Sequence, residues 1–204
     1  MLAKLLANFR NTVIFGVLLA LVIVAGYEMH NGGLDPTFWT AIFRFFHVFF
    51  GILWIGLLYY FNFVQIRKMP EIPAELKPAV SKYIAPEALF WFRWAALATW
   101  VMGVILAISR NYFIEAMSLG ATENFSNPAH TFIGVGMWLA TIMFLNVWVF
   151  IWPNQKIALG IVEADADADA KAKAARTAML FSRTNMLLSI PMLATMTMNQ
   201  TIFG

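Results

Sequence analysis

Long apolar runs separated by short polar connections dominate this chain. Five of them are long enough to span a bilayer as helices, which takes about 20 residues: residues 9–27, 36–66, 86–108, 129–152 and 178–203. The predicted architecture is therefore all-α, a five-helix transmembrane bundle forming a single integral membrane domain over residues 1–204. Pro36, Pro86 and Pro128 stand at the expected helix starts, where a missing N–H does no harm. Pro191 lies inside the fifth run and predicts a kink, with Ser189 or a neighbouring helix satisfying the freed carbonyl. Lys4 and Arg10 ahead of the first run match the charged start of a signal peptide, but the expectation here is a retained, uncleaved anchor.

Charge placement predicts orientation. Lys4 and Arg10 precede the first run, Arg67, Lys68, Lys77 and Lys82 lie in the second connection, and Lys156, Lys171, Lys173 and Arg176 in the fourth. The first connection carries no Lys or Arg, and the third only Arg110. Lys and Arg favour the cytoplasmic side, so the N-terminus is expected in the cytoplasm and the C-terminus outside it, in a multi-pass membrane protein. The segment from Glu163 to Arg176 alternates Ala with Asp and then Lys. It reads as a solvated linker or an exposed helical extension of the fifth run, because three alternating aspartates lack the turn glycine and closing glutamate of a calcium loop.

Composition narrows the chemistry. Hydrophobic residues make up 61% of the chain, far above a soluble domain, and there is no Cys. Disulfides, thiolate metal sites, Fe–S clusters and covalently attached c-type haem are thereby excluded. No P-loop, dinucleotide motif or Ser-His-Asp arrangement occurs, and the basic residues lie in membrane connections, which argues against nucleic acid.

What remains are polar groups inside the apolar runs. Arg44, His47, Gly51, Trp54, Leu58 and Asn62 recur at steps of three and four and form one stripe on the second helix. Ionisable groups in a span are costly and raise a functional hypothesis by default. The stripe suits b-type haem, with His47 as iron ligand, Gly51 making room for the ring and Arg44 meeting a propionate. The alternative is a histidine hydrogen-bonded within the bundle while Arg44 reaches the outer interface. His130, Gly134, Met137 and Thr141 share a face of the fourth helix, so His130 is the candidate second ligand or a propionate contact. A copper or zinc site would need a third imidazole, and His30 is the one left. Arg93 and Arg183 are expected to snorkel, Asn146, Asn185 and Asn199 to bond between helices, and the methionines of the fifth run to pack.

Arg44-x-x-His47-x-x-x-Gly51-x-x-Trp54-Ile55-Gly56-x-x-x-Tyr60-Phe61 resembles the first block of the membrane domain of bacterial cytochrome-linked urate hydroxylases, the urate oxidase N-terminal domain family. Leu89 to Trp94 with Thr99-Trp100-x-x-Gly103, then His130 to Val147 with Pro153-Asn154-Gln155-Lys156, and finally Arg176 to Asn199, resemble the later blocks, so the likeness spans roughly Phe43 to Gln200. The resemblance implies a redox protein of the bacterial cytoplasmic (inner) membrane that passes electrons to a c-type cytochrome. Because this sequence has no C-x-x-C-H, that cytochrome is expected to be a separate protein. Thr184 and Gln200 stand where the family pattern carries histidines, so what carries over is chiefly the fold with His47 and His130. The alternative function is a non-catalytic accessory subunit of a larger membrane complex.

Overall fold

The computed structural model describes residues 2–31, 33–162 and 167–204. Among them every regular element is helical. The elements are α1 (Leu2–Leu6), α2 (Phe9–Asn31), α3 (Pro36–Tyr59), α4 (Ala85–Ser109), α5 (Phe113–Met117), α6 (Pro128–Leu145) and α7 (Ala168–Phe203), with short turns between. Four helical stretches are long and apolar enough to cross a membrane: Phe9–His30, Pro36–Glu71, Lys77–Ser109 and Pro128–Ala158.

The chain divides into two units, residues 1–41 and 42–204. In the first, α2 is an apolar helix of 23 residues, about 35 Å long. Asn8 caps its start by accepting the Asn11 N–H at 3.1 Å. Asp35 caps α3 in the same way, accepting the Phe38 N–H at 2.7 Å.

The second unit is a bundle of α3, α4, α6 and α7. Its core joins Trp54, Leu58 and Phe61 of the α3 run to Leu89, Phe92, Ala95 and Ala96 of α4. Met143, Val147 and Ile151 of the α6 run and Met192 of α7 complete it. Outside this core the bundle is apolar too, with Phe45, Phe49, Ile52, Trp94, Leu145 and Leu187 exposed. That distribution suits a lipid solvent and would be unstable in water.

Two of the long helices pass through π turns, Tyr60–Gln65 after α3 and Asn146–Ile151 after α6. Asparagine side chains pin both turns to α7. Asn62 Nδ2 donates to Ser182 Oγ at 3.0 Å, and Asn146 Nδ2 to Asn185 Oδ1 at 2.9 Å. Asn185 Nδ2 in turn donates to the Met143 carbonyl at 2.9 Å. The expectation of interhelical amides holds also for Asn199, which donates to the Ala129 carbonyl at 2.8 Å.

Several boundaries differ from the predicted ones. The third helical run begins at Lys77, through a π turn over Val80–Ile84, so Lys77 and Lys82 lie on a helix and not in a connection. The fifth run starts at Ala168, with Asp167 as N-cap accepting the Ala170 N–H at 2.7 Å. The alternating tract is thus a helical extension from Ala168 onward, while residues 163–166 lie outside the described residues. The fifth helix exists, but by composition it is not among the spans apolar enough to cross. Its buried face explains why: Ala174, Ala178, Ser182, Asn185, Ser189 and Thr195 are small or polar residues turned inward. Such a stripe lets helices approach closely, as where Thr195 Oγ1 meets Gly136 of α6. Ser189 bonds the Met186 carbonyl at 2.8 Å and the Tyr59 hydroxyl at 3.2 Å, not the carbonyl that Pro191 frees one turn before it.

Candidate functional site

The predicted stripe of α3 does turn into the bundle. Trp54 and Leu58 are buried, and a Cβ at Gly51 would lie 3.7 Å from Thr99 Cγ2 of α4. His47, one turn before Gly51, points its Nδ1 at the carbonyl oxygen of Thr99, 2.9 Å away. A carbonyl only accepts, so Nδ1 carries the proton and Nε2 keeps its lone pair. Gly103, one turn beyond Thr99, provides the space. A Cβ there would come 2.8 Å from Cε1 and 2.9 Å from Nδ1 of His47. The close approach expected at Gly51 is therefore made at Gly103, where only glycine admits the imidazole.

His130 has a different setting. Asn127 caps α6 by accepting the Ala129 N–H at 3.1 Å, which turns its Nδ2 toward His130 Nε2 at 3.3 Å. His130 Nδ1 donates to Glu123 Oε1 at 2.8 Å. Both ring nitrogens are engaged, and Tyr112 stacks on the imidazole with centroids 6.1 Å apart. Burial pushes the Tyr112 phenol above its ordinary range, and the cations Arg110 and Arg44 pull it part of the way back. The charge of Arg44 is thus felt at the tyrosine that stacks on His130.

The segment from Asn111 to Asn127 holds this arrangement by folding back on α6. Trp138 Nε1 donates to the Met117 carbonyl at 2.9 Å, and Thr131 Oγ1 to the Leu119 carbonyl at 2.9 Å. At Gly134 the Ala116 carbonyl of α5 approaches so closely that no side chain would fit. Asn111, Leu119, Asn124 and Phe125 all have φ between 54° and 58°, in the left-handed region. For Leu and Phe this conformation is uncommon and costs energy, so the fold-back over His130 carries concentrated backbone strain.

The structure thus gives His47 and His130 separate partners, and no contact joins their rings among the described residues. His30 ends α2 in the other unit. Arg93 places its guanidinium 3.9 Å from the Trp152 ring centroid, a cation–π contact in place of simple snorkelling. Thr184 bonds its own helix, to the Leu180 carbonyl at 3.1 Å, and is exposed. Sequence reasoning passed over Glu123, Asn127 and Tyr112. The Asn-Pro pair at 127–128 was the available signal, since it marks a capped helix start.

The fold and site define a multi-pass helical membrane protein with buried polar pins and one imidazole locked as a single tautomer. Residues 105–203 match the family described as Urate oxidase N-terminal. The resemblance read from the sequence therefore holds over α5, α6 and α7, and the stripe of α3 lies outside the matched segment. No curated protein and no solved structure matches the chain.

Proposed function

We propose that the protein is a redox subunit of the bacterial inner membrane, in which His47 would hold haem b near the outer face through its imidazole and a separate c-type cytochrome would take the electrons. The supporting observation is the tautomer lock. Metal-binding histidines characteristically donate one ring N–H to a carbonyl or carboxylate and present the other nitrogen to the metal. His47 does the first through Thr99 and keeps Nε2 for the second. His47 and not His130 would hold the group, because His130 already uses both nitrogens. His130 then serves as an anchor of the outer mouth, and Arg44 is the cation placed to meet a propionate. Haem would supply one-electron chemistry, and the chain would orient it and keep water away.

In this reading α7 is a fifth span, the N-terminus is cytoplasmic, and the His47 end faces outward. The accessory-subunit reading gains from the double engagement of His130, which leaves His47 as the one imidazole of the second unit with a nitrogen to offer a metal. The absorption spectrum of protein purified from haem-replete cells separates the two. A Soret band that His47→Ala removes and His30→Ala leaves intact is expected. A colourless wild-type protein would overturn the haem reading and leave the accessory one.

A further inference from the structure

At the opposite end of the bundle from His47, a cavity of about 600 Å³ opens between the runs of α3, α4, α6 and α7. That volume is in the range that holds a drug-sized ligand. Its floor is apolar, built of Phe61, Leu89, Phe92 and Met179, with Phe61 and Phe92 packed edge to face at 5.6 Å. Its polar wall carries Lys77, Arg176, Gln65, Gln155, Ser81 and Ser182, and among the described residues no acidic one lines it. Neither Lys77 nor Arg176 forms an ion pair among the described residues. Gln65 Oε1 is buried without a donor. A buried acceptor left bare is costly, so the cavity calls for a ligand hydroxyl or N–H.

We infer that this cavity binds the head of an anionic phospholipid: phosphate to Lys77 and Arg176, a glycerol hydroxyl to Gln65 Oε1, and the first apolar carbons over Phe61 and Phe92. Three features select this ligand class. Among the described residues, two cations without an ion pair and no lining carboxylate favour a phosphate. The bare acceptor favours a polyol head over choline, which has no donor. An apolar floor at the end of the spans suits the place where acyl chains begin, and basic pockets between transmembrane helices bind such heads. The site is independent of His47 and of any haem.

The test is native mass spectrometry of the full chain from nanodiscs containing equal amounts of phosphatidylglycerol and phosphatidylcholine. The expected result is selective retention of phosphatidylglycerol. The double variant Lys77→Gln/Arg176→Gln should weaken that retention roughly fivefold per charge removed. Lys82→Gln/Lys173→Gln, at exposed positions outside the cavity, should retain it as wild type does. Added inorganic phosphate should not displace the lipid. Displacement by inorganic phosphate would identify a free phosphate compound as the ligand and overturn the lipid. Equal retention of both lipids, or undiminished retention by the Lys77/Arg176 variant, would overturn the site.

Discussion

His47 donates its Nδ1–H to the carbonyl oxygen of Thr99 at 2.9 Å, across the interface between α3 and α4. One bond thus fixes three things: the rotation of the ring, its tautomer and the register of two helices. It exists because Gly103 has no side chain. Replacing Gly103 by Val should force the imidazole off the Thr99 carbonyl. The expected cost is about 1–3 kcal/mol of stability, as for overpacking elsewhere. Thermal unfolding in detergent measures it, and Gly56→Val, at a glycine with open space around it, is the control. Equal losses for the two variants would mean that the Gly103 approach is not special.

The fold-back over α6 depends on a carboxylate. Glu123→Ala leaves His130 Nδ1–H without its partner beside a segment that already holds four non-glycine residues in the left-handed region. The expected loss is local, about 1 kcal/mol, and shows as faster hydrogen exchange over residues 111–127. Exchange around Met143 and Val147, deep in the core, should not change. Uniform acceleration through α6 would show that the segment is not a separate unit.

Tyr112 gives the pH dependence. A free phenol loses its proton near about 10, and burial raises this one. The neutral form is the one the fold prefers, so stability is flat below that value. It falls as pH rises through the higher folded value, because only the unfolded chain gains by ionising. An ultraviolet phenolate titration, read as wild type minus Tyr112→Phe, should show ionisation later than that of a free phenol. Arg110→Gln removes a cation that favours phenolate and should delay it further. An earlier ionisation in Arg110→Gln would reverse the assigned sign.

The buried amide pair between α6 and α7 should be worth more than its size suggests. Asn185 is fully buried, accepts from Asn146 and donates to the Met143 carbonyl. Asn185→Ala strands the Asn146 amide donor in a site that water does not reach, while the Met143 carbonyl keeps the Asn146 backbone N–H. The expected cost is about 1–2 kcal/mol. A double-mutant cycle with Asn146→Ala should recover part of it, because removing both partners leaves fewer bare groups. Strict additivity would mean that the pair does not couple.

Much of this fold was legible because lipid imposes a coarse rule: apolar runs of spanning length become helices, and Pro36 and Pro128 mark their starts. The α3 stripe was legible for the same reason, since a cation and an imidazole among phenylalanines must turn inward. The π turns were not, because an extra residue in a helical turn leaves the apolar pattern of Tyr60–Gln65 and Asn146–Ile151 unchanged. Nor was the partner of His130. Glu123 reaches it only through positive-φ turns at Leu119, Gly120 and Asn124, which periodicity does not encode. Gly103 was visible as a motif residue, but what it makes room for lies on another helix.

The decisive question about topology is whether α7 crosses the membrane. Its mean composition is too polar for a lone span, yet the polarity is one-sided. Ser182, Asn185, Ser189 and Thr195 face α6 or α3, whereas Leu180, Leu187, Ile190 and Ile202 are exposed. A helix that turns its polar stripe onto partners and its leucines outward satisfies the bilayer despite a modest average. Because the chain has no Cys, single substitutions can be labelled without background. In intact cells, an impermeant maleimide should label Thr122→Cys and Ile202→Cys but not Asp169→Cys. Permeabilisation should then expose Asp169→Cys. If Asp169→Cys and Ile202→Cys behave alike, α7 lies on one side of the membrane and the four spans are α2, α3, α4 and α6.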